Sequence, residues 1–157
     1  MQWPAGAASI RMLAVRPAGR GKGCGLRLTQ ACIKRARELA LQFLYALDLE
    51  GGEYGEGLDA FLKDELGGKP GEAEASEYAR RLVDGVTLHA PAIDAILAVA
   101  AQNWDIGRMA VIDRNVLRFA GYELLGRTDV PVAVVLDEAV ELAKRFSTDD
   151  SGRFVNG

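Results

Sequence analysis

The sequence predicts an all-α domain, and three observations carry that expectation. In Ile33–Glu50 the residues Ile33, Ala36, Ala40, Phe43, Leu44 and Leu47 recur at helical spacing and form one apolar stripe. The segments around Tyr78–Val86 and Ile112–Leu124 repeat that period, again with apolar residues three and four apart. No segment alternates as a half-buried strand would. VPVAVVLDEAVELAKRF, at 130–146, is rich in β-branched residues yet keeps a helical period.

The elements follow in order. Residues 1–28 mix Gly, Ala, Pro and Arg without periodicity and bury too little apolar surface to offset the entropy of ordering them, so they read either as a disordered basic arm or as residues ahead of a true start at Met12 or a later codon. Residues 29–157 form the helical domain. Thr29 is the expected N-cap of a first helix that ends at Gly51 and Gly52. A second helix covers about 57–66, before the turn-rich GGKPG. A third runs from Glu72 to His89 and should stop at Ala90–Pro91, because a residue before proline is pushed out of the helical region. His89 then sits at a helix C-terminus, where an imidazolium is favourable. Pro91 opens a fourth helix to about Gln102, and Asn103, Trp104 and Asp105 make a turn. A fifth helix spans about 107–125. Gly121 inside it costs roughly 1 kcal/mol relative to alanine, which implies close packing against a neighbour. Val130–Pro131 opens a sixth, ending near Phe146, and Asp149, Asp150 and Ser151 offer cap chemistry for a seventh helix that has scarcely begun at Gly157.

Composition narrows the function. The 157 residues suit one domain, with 49% hydrophobic and 26% charged. The net charge of −3 conceals an asymmetry: residues 1–37 hold eight Lys or Arg and no acid, whereas 38–157 hold 11 basic and 22 acidic residues. A basic arm on an acidic body predicts a localised, selective contact with a polyanion. Cys24 and Cys32 lack CxxC spacing, and His89 is the single histidine, so a metal site is not expected. Two thiols without a secretory signal fit a reducing cytoplasm, and no run of 18 uncharged apolar residues predicts a membrane span. One histidine, no GxSxG, no HExxH and no phosphate-binding glycine motif leave no recognisable catalytic set, and no cofactor is expected.

The first helix carries the sharpest functional signal. Lys34, flanked by Arg35 and Arg37, is placed opposite the apolar stripe, and Tyr45 lies eleven residues on, nearly in line with Lys34. Cations neutralise phosphates and an exposed ring can stack on a base. A solvated face with an ordinary surface tyrosine accounts for the same pattern.

Three segments together resemble one family, the bacterial transcription antitermination factors NusB: KRARELALQFLYALDLE at 34–50, NWDIGRM at 103–109, and the run from Asp113 to Gly157 with its DVP, DEAVELAKRF and RFVNG words. The resemblance implies a compact seven-helix bundle and an RNA-binding, non-enzymatic role. It implies two further partners, the small-subunit ribosomal protein NusE and the RNA polymerase elongation complex with other Nus factors. The RNA would be the boxA element of nascent transcripts, chiefly ribosomal RNA leaders, and the free protein a monomer or homodimer. Carried over residue by residue, the RNA contacts are Lys34, Arg35, Arg37, Tyr45, Arg118, Arg153 and Phe154. Asp113 and Glu123 become residues of the protein-partner surface, and Asp150 lies in a region that tunes the complex. Ile33 departs from the family's longer arginine run, and the family continues its last helix beyond the position of Gly157. Two other readings were open: the NusB-like RNA-binding domain of a ribosomal RNA cytosine methyltransferase, of which this chain would be a fragment, and a protein-binding helical adaptor.

Overall fold

The computed structural model describes residues 24–51, 54–68, 71–101, 105–126, 130–148 and 150–157. Among these are six α-helices and no strand: α1 (Cys24–Glu50), α2 (Tyr54–Leu66), α3 (Glu72–Ala100), α4 (Val111–Gly126), α5 (Val132–Phe146) and α6 (Ser151–Asn156), with a 3₁₀ turn at Ile106–Arg108. The all-α expectation holds.

The centre of the molecule is α1. Ala36, Ala40, Phe43 and Leu44 are buried as the stripe requires, but so are Leu39 and Leu41 off it, because α2, α3 and α4 all pack around this helix. Its helical backbone begins at Cys24, so Thr29 lies inside it and is not its N-cap. Gly51 ends it in the left-handed region (φ 62°), donating its N–H to the carbonyl of Leu47.

Where seven helices were expected, the third and fourth are one. Pro91 sits inside α3 and the helix runs on to Ala100. Proline there removes one backbone hydrogen bond, to the carbonyl of Thr87. Thr87 and Pro91 are both exposed, so water can satisfy that carbonyl. Burial of Tyr78, Leu82 and Val86 before the proline and Ile93 after it holds both halves in one line. His89 is therefore mid-helix, with its ring stacked on Tyr122 of α4 at a 6.2 Å centroid separation. Gly121 does mark close packing: a Cβ there would lie 3.3 Å from Ile93. Asp105 caps the 3₁₀ turn by accepting the Gly107 N–H at 2.9 Å, and α4 begins four residues later than expected.

Gly71, at φ 78°, starts α3, and a Cβ there would collide with the Cys32 sulfur. Burial, helped by the charge of Glu74, pushes the Cys32 thiol above its ordinary pKa. A buried, protonated thiol is a poor nucleophile. In a Cys24→Ser variant Cys32 should therefore react with a thiol reagent only as the protein unfolds. Rapid labelling of the native protein would refute this packing.

By length and composition α3 alone among the described helices is apolar enough to cross a membrane, although Asp84 and Asp94 interrupt its apolar run. It packs instead against α1 and α4, and its Asp94 forms an ion pair with Arg118 of α4.

Candidate nucleic-acid interface

The expected RNA residues separate into those that face outward and those that do not. Lys34 is exposed, and Tyr45, 39% exposed, also faces solvent. Arg35 is half-buried and donates to Glu65 of α2 at 2.7 Å and to Glu38, one turn on, at 3.4 Å. Arg153 is exposed on α6, and Phe154 beside it is half-buried. Asp150 is exposed at the N-cap position of α6. Its carbonyl accepts the Arg153 and Phe154 N–H groups at 3.1 Å, while its carboxylate makes no cap bond.

Arg37 and Glu123 require a correction. Arg37 is 1% and Glu123 0% exposed. The guanidinium grips the carboxylate in a two-point contact, Nε to Oε2 at 3.0 Å and Nη2 to Oε1 at 2.9 Å. The Tyr78 hydroxyl also donates to Glu123, and the Arg37 guanidinium lies 6.0 Å from the Tyr78 ring centre. Burial opposes the charge on Arg37, but Glu123 outweighs it and lifts the arginine pKa above its ordinary value. These two residues fasten α1 to α4 in the interior and expose almost no surface in the free chain. Helical spacing held the signal: Arg37 lies one turn from Ile33 and one short of Leu41, at the edge of the core stripe.

Arg118 is also committed. It donates to both carboxylate oxygens of Asp94, at 2.8 and 2.6 Å, with Asp48 of α1 at 3.8 Å. The hydrogen bond to Asp94 is the main cause of its raised pKa. Its neighbour Arg114 pairs with Asp48 at 2.9 Å, so these contacts tie the C-terminal end of α1 to α3 and α4.

Asp113, expected at a partner surface, is 7% exposed. Its Oδ2 accepts a 2.9 Å hydrogen bond from Ser151 Oγ, while Oδ1 is buried with no hydrogen-bond partner among the described residues. Ser151 Oγ also meets Ser147 Oγ at 2.9 Å and Thr148 Oγ1 at 2.8 Å, and accepts the Thr148 N–H at 3.2 Å. Asp113 therefore anchors the start of α6, and with it Arg153 and Phe154. The sequence reading found the residue and missed this role.

α5 bridges the two helices that carry these residues: Arg145 pairs with Glu38 of α1, and the Lys144 stem packs against Gly152 of α6. Glu38, 7% exposed, receives Arg35 from its own helix and Arg145 from α5. Among the described residues no group of three His, Cys, Asp or Glu side chains is placed to hold a metal. Asp149, Trp104 and residues 1–23 of the expected arm at 1–28 lie outside the described residues, while 24–28 belong to α1.

Exposed cations and aromatics on α1 and α6 of a small helical domain are the kind of surface a nucleic-acid-binding module presents. The NusB family model matches residues 34–157. Curated relatives described as transcription antitermination protein NusB include that of Geobacter sulfurreducens, 46% identical over 121 residues, covering 77% of this chain and 86% of the relative. Another, from Anaeromyxobacter dehalogenans, is 47% identical over 123 residues, covering 78% and 84%. The solved structure of T. maritima NusB superposes with a TM-score of 0.70 at 36% identity, covering 80% of this chain and 85% of that one. The antitermination factors NusB and NusE in complex with double-stranded RNA include a chain that matches with a TM-score of 0.70 at 31% identity, covering 81% and 92%. This chain belongs to the NusB family. A GNAT acetyltransferase family model also matches residues 1–56. That segment overlaps the NusB match from residue 34, and its described part contains α1, the central helix of the fold.

Proposed function

We propose that this chain is a transcription antitermination factor of the cytoplasm, not an enzyme, that binds the boxA element of nascent ribosomal RNA transcripts together with NusE. In this role it acts on the RNA polymerase elongation complex alongside other Nus factors and promotes read-through of terminators. The observation that carries the reading is the set of cations and aromatics on α1 (exposed Lys34 and Tyr45) and on α6 (exposed Arg153 and half-buried Phe154), two helices that α5 connects. Lys34, Arg35 and Arg153 neutralise phosphates, while Tyr45 and Phe154 stack on unpaired bases, the usual route to sequence preference in single-stranded RNA. The relatives' names and the NusB–NusE–RNA complex support this assignment.

The test is binding of a labelled boxA RNA and a scrambled control, with and without purified NusE. Selective binding that NusE strengthens is expected. Phe154→Ala should weaken it about tenfold or more, the scale of one lost base stack. Lys34→Ala should weaken it less and reduce the logarithmic salt slope by about 0.7, one phosphate on a single strand. Equal affinity for both RNAs would overturn the assignment. Retained function after neutralising Lys34, Arg35 and Arg153 would favour a protein-binding adaptor.

A further inference from the structure

Two cations between α1 and α6 were not among the residues singled out by the sequence: Lys144 and Arg145, at the C-terminal end of α5. Basic residues there are favoured by the helix dipole whatever else they do. Their tertiary positions go further. Arg145 reaches from α5 across to Glu38 of α1, the same carboxylate that receives Arg35. It uses one nitrogen, Nη1, for that pair, and the side chain remains 59% exposed. Its guanidinium also lies 4.9 Å from the centre of the Phe146 ring. The group is thus held in place with donors still turned to solvent, which lowers the ordering entropy of gripping a phosphate.

Lys144 lies on the other side of the same ridge. Its ammonium is 2.9 Å from Glu141, an exposed pair of the kind that water and salt loosen readily. The Glu141 carboxyl is held below its usual range by Lys144, with a smaller contribution from the charge of Lys34 on α1. The Lys144 stem packs under α6 so closely that a Cβ on Gly152 would lie 2.6 Å from it. From α1 to α6 the cations Lys34, Arg35, Arg145, Lys144 and Arg153 therefore follow one another across the surface, with α5 as the middle of the track.

We propose that Lys144 and Arg145 are further phosphate-binding residues, which carry a single-stranded RNA across α5 between the contacts of α1 and those of α6. This rests on the RNA-binding reading above. In the free protein Glu38 and Glu141 hold the two cations in position; on binding, RNA phosphates take the donors that face solvent.

The experiment measures affinity of the full chain, with NusE, for the boxA RNA over a series of salt concentrations. It compares wild type with Arg145→Gln, Lys144→Gln, the double variant, and Arg80→Gln, whose arginine pairs with Asp59 between α3 and α2. Each single variant should bind about threefold to tenfold more weakly, and the double variant should lose about 1.4 from the logarithmic salt slope, two phosphates on a single strand. Arg80→Gln should match wild type. An unchanged slope in the double variant would overturn the proposal, even with a lowered melting temperature, because a merely structural role moves stability and not the slope. An equal loss in Arg80→Gln would overturn it too. Wild-type preference for boxA over the scrambled RNA is read separately: its absence defeats the antitermination assignment while leaving the phosphate track standing. Absence of any RNA binding defeats both.

Discussion

Glu123→Ala should lower the melting temperature by roughly 10 °C. Breaking one side of a buried pair costs about 3–5 kcal/mol, and each kcal/mol shifts a domain of this size by about 2–4 °C. The reason is what the substitution leaves behind. Arg37 is 1% exposed, and its guanidinium would lose both hydrogen bonds to the carboxylate. The Tyr78 hydroxyl would lose its acceptor as well. Arginine cannot escape by shedding its proton at any workable pH. Thermal unfolding monitored by circular dichroism checks the size of the effect. The companion variant, Arg37→Met/Glu123→Leu/Tyr78→Phe, removes all three polar partners together and should recover most of the loss, since an apolar replacement of similar volume is often neutral. It should also keep the RNA affinity of the wild type. A stable triple variant with weakened RNA binding would show that Arg37 touches RNA after all.

Ser151→Ala has the next largest expected effect, and it is one on both stability and function. Asp113 Oδ1 has no hydrogen-bond partner among the described residues, and Ser151 supplies the hydrogen bond at Oδ2. Its loss strands a buried carboxylate, with about 2–3 kcal/mol of destabilisation. Position in the first turn of α4 offsets part of that, through the partial positive charge of the helix N-terminus. The helix most affected is α6, six residues long and too short to persist without tertiary anchors. Amides of residues 153–157 should exchange with solvent faster while those of α1 are unchanged. RNA affinity should fall to about that of Phe154→Ala. Ser151→Ala/Asp113→Ala should be less destabilised than the single variant, because the orphaned charge is gone. Unaltered exchange across α6 in Ser151→Ala would show that the anchor lies elsewhere.

The helical class was legible because it rests on local periodicity, which packing reinforced. The stripe at Ala36, Ala40, Phe43 and Leu44 is buried, Gly51 does end α1, Val130–Pro131 does precede α5, and Gly121 does sit against Ile93. Pro91 was misread because a local stop signal competes with tertiary burial. Tyr78, Leu82, Val86 and Ile93 lie on one continuous buried line, and the residues at the lost hydrogen bond, Thr87 and Pro91, are exposed. The family words around RFVNG pointed to Arg153 and Phe154; on α6 the first is exposed and the second half-buried.

Charged residues were harder to place, for a physical reason. A sequence gives the sign of a side chain and its angle on its own helix, but burial of a charge depends on whether a partner arrives from another element. Arg37 meets Glu123 from 86 positions away and Arg145 meets Glu38 from 107. The sequence by itself determined the helical class, the core stripe of α1 and the family. Only the tertiary structure decided which cations are sealed in the interior, which are tied to carboxylates and which face solvent, because those outcomes turn on long-range pairing that no local pattern encodes.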